Sequence, residues 1–202
     1  HSSPLVAIQT GTHMILATLQ RKPFGGRIVT LPTGVSSSSG STVVVGVSGI
    51  LSDGMSLVQE GRQALVSQYC TYGESSSCGG GESVSKRVAQ AMGDACQGRA
   101  MGGGLRAYGA SLLVVGSTHN SCFTVSLVHP SGAVTSSFPD DDRVLPNSSS
   151  QKMWMVGGDK GTQTKLKQQL NELLVHGCSH ENYDDTDETT VAFTMKRMVQ
   201  AL

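Results

Sequence analysis

Two aliphatic runs in this chain are too continuous to belong to strands with one face in water. Thr42–Val47 (TVVVGV) and Ala110–Val115 (ASLLVV) lack the regular alternation of polar and apolar side chains that a half-exposed strand shows. Strands that are apolar on both sides need cover on both faces of their sheet. This need for two covering layers constrains the possible folds more than any other feature of the sequence.

Other predicted strands stand before and after these runs. Leu5–Ile8 and Met14–Leu19 flank the turn residues Thr10–Thr12, which is a hairpin pattern, and Arg27–Leu31 precedes the first aliphatic run. Further short strands follow the second aliphatic run. They are Cys122–Val128, Ala133–Thr135 and Lys152–Val156. The sequence therefore predicts two separate groups of strands.

Helical periodicity separates the two groups of strands. A first predicted helix begins near Ser52 or Asp53, whose side chains can act as N-caps, and a second begins near Ser83. The apolar stripe of the first helix consists of Leu51, Met55, Val58, Leu65 and Tyr69. The stripe of the second consists of Val84, Val88, Ala91, Met92 and Ala95. Each stripe marks the side of its helix that is predicted to pack on a sheet.

Two more helices are predicted at the end of the chain. The third has Asp159 as its N-cap and Gly177 at the C′ position, where a left-handed backbone is common. The acidic turn Asp184–Glu188 precedes the fourth, where negative charge stabilises a helix N-terminus. The apolar face of the third consists of Leu166, Leu170, Leu173 and Leu174. That of the fourth consists of Val191, Met195, Met198 and Leu202.

The complete order is strands, two helices, strands, two helices. Together with sheets that need cover on both faces, this order predicts two stacked sheets with helices on both outer sides. We therefore expect an α+β fold, a four-layer α-β-β-α sandwich, in a single domain over residues 1–202.

Charge and composition argue against several classes of function. Lys+Arg and Asp+Glu are both 15, so no net charge marks a surface for nucleic acid or for an anionic membrane. No apolar run approaches the roughly 20 residues of a membrane-spanning helix, and no secretory signal peptide is visible. The five cysteines are scattered without a CxxC pair, as is typical of reduced intracellular thiols. We expect no nucleic-acid partner, no membrane partner and no cofactor.

Several short motifs resemble those of proteasome α-type subunits and occur in the same order. Ser3–Ile8 resembles the family's first core strand, and Arg27–Leu31 resembles its Lys-Ile-hydrophobic strand. Val47–Asp53 resembles the Gly-Leu-x-x-Asp signature that opens the first long helix. Arg106–Gly109 and Leu112–Gly116 together are similar to the Arg-Pro-Phe/Tyr-Gly-x-x-Leu-Leu-x-x-Gly stretch, which is the most specific of these motifs.

Two more motifs and several departures complete the resemblance. His129–Gly132 resembles the Asp-Pro-Ser-Gly turn, and Val156–Gly158 resembles the Ile-Gly step before the third helix. Ala107 replaces the family's proline, and His129 replaces its aspartate. Only Gln97 remains of the Gln-x-Tyr-Thr-Gln loop. These departures are typical of a divergent member.

The resemblance implies a non-catalytic subunit of the proteasome core particle, with the fold of the N-terminal-nucleophile hydrolases. Its expected partners are other α-type subunits in a seven-membered ring, β-type subunits, and the C-termini of a regulatory particle or activator. Its expected roles are ring assembly, substrate gating and regulator docking in ubiquitin-dependent protein degradation, in cytoplasm and nucleus. The family's N-terminal gating segment and last strand are expected before His1 and after Leu202.

Catalysis in this fold uses a terminal Thr, Ser or Cys whose α-amine acts as the general base. In β-type subunits, an Asp ends the second strand and a Lys begins the third. Here the Asp position falls near Thr18 or Leu19, and the Lys position falls at Arg27, whose guanidinium does not release its proton. The alternative function is a self-processing hydrolase or β-type subunit in which cleavage exposes Ser2 or Ser3; a stand-alone binding module is a third.

The Lys position has a different use in α-type subunits. There, the Lys and the Gly-Leu of the first helix turn line a pocket between neighbouring subunits, where activators dock through their terminal carboxylate. The resemblance assigns this role to Arg27, Gly49 and Ile50. A guanidinium can hold a carboxylate with two hydrogen bonds. The alternative is a surface arginine paired with a local acid.

Three potential zinc ligands stand close together near the end of the chain. They are His176, Cys178 and His180. No fourth ligand stands at a standard spacing, although Asp184 or Asp185 could reach them. We therefore interpret this segment as a solvated loop and expect no metal.

Overall fold

A computed structural model describes residues 3–10, 13–19, 26–32, 42–72, 84–102, 105–117, 123–137 and 152–177. The strands are β1 (Leu5–Thr10), β2 (His13–Thr18), β3 (Ile28–Leu31), β4 (Thr42–Gly49), β5 (Ala110–Ser117), β6 (Phe123–Val128), β7 (Val134–Ser137) and β8 (Lys152–Val156). The helices are α1 (Leu51–Tyr72), α2 (Val84–Met101) and α3 (Lys160–Gly177). Within these ranges the elements follow the predicted order.

The strands form two antiparallel sheets. One has the order β2-β1-β8 and the other the order β3-β4-β5-β6-β7. The predicted hairpin is confirmed, since β1 and β2 pair with Leu5 opposite Thr18 and Ile8 opposite Ile15. The two aliphatic runs, β4 and β5, are neighbours inside the larger sheet, with Val45 opposite Val114.

Three clusters of buried side chains connect the layers. The cluster between the sheets contains Leu5, Ala7, Leu113, Val115, Val125 and Val156. The cluster under α1 and α2 includes Val45, Val47, Leu57, Val58, Val88, Met92, Leu112 and Val114. The cluster under α3 contains Val6, Ile8, Ile15, Leu166 and Leu170. The layers are therefore α1 with α2, the five-stranded sheet, the three-stranded sheet and α3, which confirms the α-β-β-α sandwich.

Alternation along β5 shows why its sequence is apolar throughout. Leu112 and Val114 point to the helices, while Leu113 and Val115 point to the other sheet. The two sheets approach closely at Gly46, where a Cβ would lie 2.4 Å from a methyl carbon of Leu5. Both faces of the central strands are thus out of water, as the aliphatic runs predicted.

The predicted apolar face of α1 is partly wrong. Met55 and Tyr69 are 39% and 44% exposed, and the buried Leu57 was not part of the predicted stripe. The rest of the stripe is confirmed, since Val58 is buried and Leu51 and Leu65 pack against the core. The helix approaches its neighbours through glycines: at Gly54 a Cβ would lie 2.1 Å from Val47, and at Gly61 it would lie 2.3 Å from Met92. A helix that packs through glycines buries a face that an apolar stripe does not mark.

The predicted caps have mixed outcomes. Helix α1 begins at Leu51, so Ser52 and Asp53 lie inside its first turn and their predicted N-cap role is wrong. At α3 the prediction is confirmed, because the amide of Thr162 donates to Asp159 Oδ2 at 3.4 Å. Ser83 lies outside the described residues.

Two further observations concern the helices. The fourth predicted helix, with Val191 to Leu202, lies outside the described residues. None of the helices in the described ranges is both long and apolar enough to cross a membrane.

Candidate functional site

The junction between β4 and α1 contains two of the three residues predicted to form a docking site. At the end of β4, Gly49 has a φ of 103°, in the region that favours glycine. A Cβ on this residue would lie 2.4 Å from the carbonyl oxygen of Gly109, so the chain before β5 occupies that space. The next residue, Ile50, is 47% exposed at the start of α1. The junction therefore presents an apolar side chain to solvent beside a closely packed turn.

Arg27, the third predicted residue, reaches the same junction from the chain just before β3. Its Nη1 donates hydrogen bonds to the carbonyl oxygens of Gly49 at 3.1 Å and Val47 at 3.4 Å. Its own carbonyl oxygen accepts the amide of Val47 at 2.7 Å. No carboxylate of the described residues pairs with this half-buried guanidinium. The structure thus brings Arg27, Gly49 and Ile50 together, and we call them the Arg27 site.

Asp53 connects this junction to the segment before β5. Both of its carboxylate oxygens accept hydrogen bonds from Arg106, at 2.6 and 2.7 Å. Its Oδ2 also accepts the amide of Gly109 at 2.8 Å. The carbonyl oxygen of Gly109 in turn accepts the amide of Ile50 at 2.9 Å. Two motifs that are separate in the sequence, Val47–Asp53 and Arg106–Gly109, therefore form one structural unit.

The electrostatics of the Asp53–Arg106 pair follow from these contacts. Hydrogen bonds from Arg106 and then from the Gly109 amide hold the pKa of Asp53 below its ordinary value, although burial opposes them. The hydrogen bond to Asp53 raises the pKa of Arg106. Both groups are therefore charged at neutral pH. The pair is bidentate and its carboxylate is shielded from water, so its geometry is better defined than that of an ordinary surface ion pair.

Tyr108 is a second anchor of the same segment. The residue is buried in the cluster under α1 and α2. The guanidinium of Arg99, in the last turns of α2, lies 4.4 Å from the centre of its ring, which is a cation–π contact. The chain at residues 106–109 is thus held both by an ion pair and by a buried aromatic side chain.

The positions that correspond to a catalytic centre carry different contacts. Thr18 ends β2, and its hydroxyl donates to the carbonyl oxygen of Pro4 at 3.0 Å. Leu19, the other residue at the predicted Asp position, is 39% exposed. The buried hydroxyl of Ser48 donates to the carbonyl oxygen of Ser3 at 2.8 Å. Ser2, the other candidate nucleophile, lies outside the described residues.

Two of these contacts were missed in the sequence. Ser48 bonds to a residue 45 positions away, and no local pattern indicates such a partner. Asp53 and Arg106 are an acid and a base 53 positions apart. Asp53 and Arg106 each belong to a family motif, and this is the one sequence feature that could have indicated that they pair. The sequence instead predicts a helix cap at Asp53, because residue spacing indicates local contacts and not contacts between distant segments.

The potential zinc ligands cannot be placed in the same way. Cys178 and His180 lie outside the described residues, as does the side chain of His176. Elsewhere, in the part of the chain that the structure describes, no group of three His, Cys, Asp or Glu side chains could hold a metal ion.

Comparison with known proteins identifies one family. A family model described as "Proteasome subunit" matches residues 1–138. The match covers more than half of the chain and includes the whole five-stranded sheet, α1, α2 and the Arg27 site. No curated protein matches the chain.

Proposed function

The chain belongs to the proteasome subunit family, and from that premise we propose that it is a non-catalytic α-type subunit of the core particle. In this role it forms part of a seven-membered ring with other α-type subunits and stacks on a ring of β-type subunits. It restricts the entry of substrates and offers a docking surface to a regulatory particle or activator. We further propose that it acts in the cytoplasm and nucleus, in ubiquitin-dependent degradation.

The observation that carries this proposal is the position of Arg27 and the hydrogen bonds that its guanidinium donates. It stands just before β3, at the position where a β-type subunit has a lysine that takes part in proton transfer. In this chain the group at that position is a guanidinium, and its Nη1 donates to the carbonyl oxygens of Val47 and Gly49. A guanidinium keeps its proton at any physiological pH and is therefore a poor base. Its contacts suit an anchored cation better than a catalytic group.

The second strand supports the same conclusion. It ends at Thr18, and the aspartate of a β-type subunit corresponds to Thr18 or to the next residue, Leu19, neither of which carries a carboxylate. The Thr18 hydroxyl donates to the carbonyl oxygen of Pro4, which is a structural contact. A neutral hydroxyl offers no negative charge to stabilise a protonated base. Both groups that assist the nucleophile in the β-type are thus replaced by groups of different chemistry.

Regulator docking is proposed for the Arg27 site. All hydrogen bonds between this guanidinium and described residues leave from Nη1 and end on uncharged carbonyl oxygens. The positive charge is consequently not neutralised by a described carboxylate, and the remaining N–H groups can bind an incoming one. The exposed Ile50 side chain offers apolar contact to the residue before that carboxylate. A peptide C-terminus has this combination of chemistry.

Substitution of the candidate nucleophiles tests the proposal. We expect core particles that carry Ser2→Ala or Ser3→Ala in this chain to hydrolyse fluorogenic peptides at the wild-type rate, because neither serine is a nucleophile. A Thr18→Val particle is the matched control for a change at the neighbouring strand end. Loss of one peptidase activity in either serine variant, with intact assembly by native mass spectrometry, would favour the hydrolase alternative and overturn the proposal.

A further inference from the structure

Hydrogen bonds connect Arg106 to Ile50 through Asp53 and Gly109. Arg106 binds both carboxylate oxygens of Asp53, and the same carboxylate accepts the amide of Gly109 at 2.8 Å. Gly109 then accepts the amide of Ile50 through its carbonyl oxygen at 2.9 Å. The side chain of Asp53 is 10% exposed, so water competes little for these contacts. Arg106 is thus connected to the exposed residue of the Arg27 site by a continuous series of short hydrogen bonds.

Close packing allows little freedom in this series. A Cβ on Gly109 would lie 2.7 Å from Cδ1 of Ile50, and a Cβ on Gly49 would lie 2.4 Å from the carbonyl oxygen of Gly109. A shift of Gly109 therefore displaces the turn at Gly49. That turn carries the carbonyl oxygen to which Arg27 donates at 3.1 Å. The position of the Arg27 guanidinium consequently depends on where Gly109 is held.

We propose that Asp53 and Arg106 are positioning residues of the Arg27 site. They hold Gly109, Gly109 holds the turn at Gly49–Ile50, and the turn orients the guanidinium of Arg27 toward the carboxylate of a docking peptide. This inference rests on the proposed docking function and adds to it a role for two residues that do not belong to the site.

Arg106 does not need to contact the peptide for this effect. Its guanidinium is already matched by the two oxygens of Asp53, so little of its charge remains for a second carboxylate. The guanidinium of Arg27 has no such partner among the described residues. The two arginines therefore have different roles: Arg27 binds, and Arg106 holds the backbone that aims it.

A double-mutant cycle in assembled core particles tests the proposal. The probe is a photoreactive ten-residue peptide that copies the C-terminus of an activator copurifying with the particle, with either a free or an amidated carboxyl terminus. Mass spectrometry measures the amount of peptide cross-linked to this chain at increasing peptide concentration. This distinguishes binding at this chain from binding at the other pockets of the ring. The particles carry Arg27→Gln, Arg106→Gln, both changes, or Lys165→Gln on α3 as the control for loss of a positive charge.

We expect Arg27→Gln to weaken binding of the free-carboxylate peptide about 10-fold or more, since a charge-assisted contact is lost. Arg106→Gln should weaken it about 3- to 10-fold on its own, but by less than about 2-fold when Arg27 is already replaced. If Arg106→Gln only lowered the fraction of folded chain, it would weaken binding by the same factor with Arg27 present and with Arg27 replaced. The amidated peptide should bind all variants alike, and Lys165→Gln should behave as wild type.

The outcomes separate this inference from the function it rests on. If Arg27→Gln leaves binding unchanged, the docking function is wrong whatever Arg106 does. If Arg27→Gln weakens binding but Arg106→Gln does not, or if the two effects multiply in full, the positioning role is wrong and docking stands. Should Arg106→Gln prevent incorporation into the particle, peptide binding is measured with Arg106→Lys instead. Lysine keeps the positive charge but cannot make the bidentate contact with Asp53. We expect it to weaken peptide binding less than Arg106→Gln, and to have no effect when Arg27 is already replaced.

Discussion

Gly157 and Gly158 have the same backbone conformation but very different surroundings. Both have a φ of 77°, which costs an alanine about 1–2 kcal/mol. A Cβ on Gly157 would lie 1.8 Å from the hydroxyl oxygen of Ser48 and 2.9 Å from the carbonyl oxygen of Ser3, whereas a Cβ on Gly158 meets nothing closer than 3.7 Å. We expect Gly158→Ala to cost only the backbone strain, and Gly157→Ala to cost at least about 3 kcal/mol because overpacking adds to it. Urea unfolding of the two variants measures both costs; equal values would contradict the close packing of Gly157 against Ser48 and Ser3.

Asp53 provides a prediction about pH. Its pKa is lowered in the folded chain by Arg106 and by the Gly109 amide, so ionised Asp53 stabilises the folded state at pH values above its unfolded pKa of about 3.9. This contribution is lost as the pH falls through the lower, folded value. We therefore expect Asp53→Asn to be less stable than wild type at pH 7, and the difference to shrink below about pH 4.

Unfolding of both proteins by urea between pH 7 and pH 3 gives this difference. Asp94→Asn, on the exposed side of α2, is the matched control for removing a carboxylate, and we expect its effect at pH 7 to be smaller. A difference between wild type and Asp53→Asn that is independent of pH would mean that the charge of Asp53 does not stabilise the junction.

At the scale of secondary-structure elements, α1 is where the sequence prediction and the structure differ most. The helix buries Leu57, which lies outside the predicted stripe, and leaves Met55, which belongs to it, exposed. We expect Leu57→Ala to lower the free energy of unfolding by about 2–5 kcal/mol because it leaves a cavity in the core. Met55→Ala should change it by less than about 1 kcal/mol. Chemical denaturation of the isolated chain measures both changes. A larger loss of stability for Met55→Ala than for Leu57→Ala would support the predicted apolar face that includes Met55 and Tyr69.

The elements themselves were predictable because their signals are local. Alternation and apolar runs identified the strands, and the side chain of Asp159 identified the start of α3. The buried face of α1 was not predictable in the same way, because Gly54 and Gly61 carry no apolar side chain and yet mark the closest contacts. The ion pair of Asp53 with Arg106 joins two distant segments, and no spacing rule connects them.

At the scale of the whole molecule, the aliphatic runs determined the layers. Strands β4 and β5 need cover on two faces, and the chain supplies it with helices on one side and a second sheet on the other. The layered architecture followed from this requirement together with the order of strands and helices along the chain. The docking role of Arg27, Gly49 and Ile50 came from resemblance instead, and the structure contributes the contacts that bring the three together.

Membership of the proteasome subunit family leaves two positions for such a chain, an outer α-type ring or an inner β-type ring. In the proposed α-type role, we expect the Arg27 site at a boundary with another α-type subunit, whereas in a β-type role we would expect the first residues of the chain to open to the proteolytic chamber.

The most direct test is an electron cryomicroscopy structure of core particles purified through a tag on this chain. We predict that the chain occupies one position in an outer ring of seven, with Arg27 and Ile50 at the border with a neighbouring subunit. Density for this chain in an inner ring, with Ser2 or Ser3 as a free terminal residue facing the chamber, would contradict the non-catalytic α-type role.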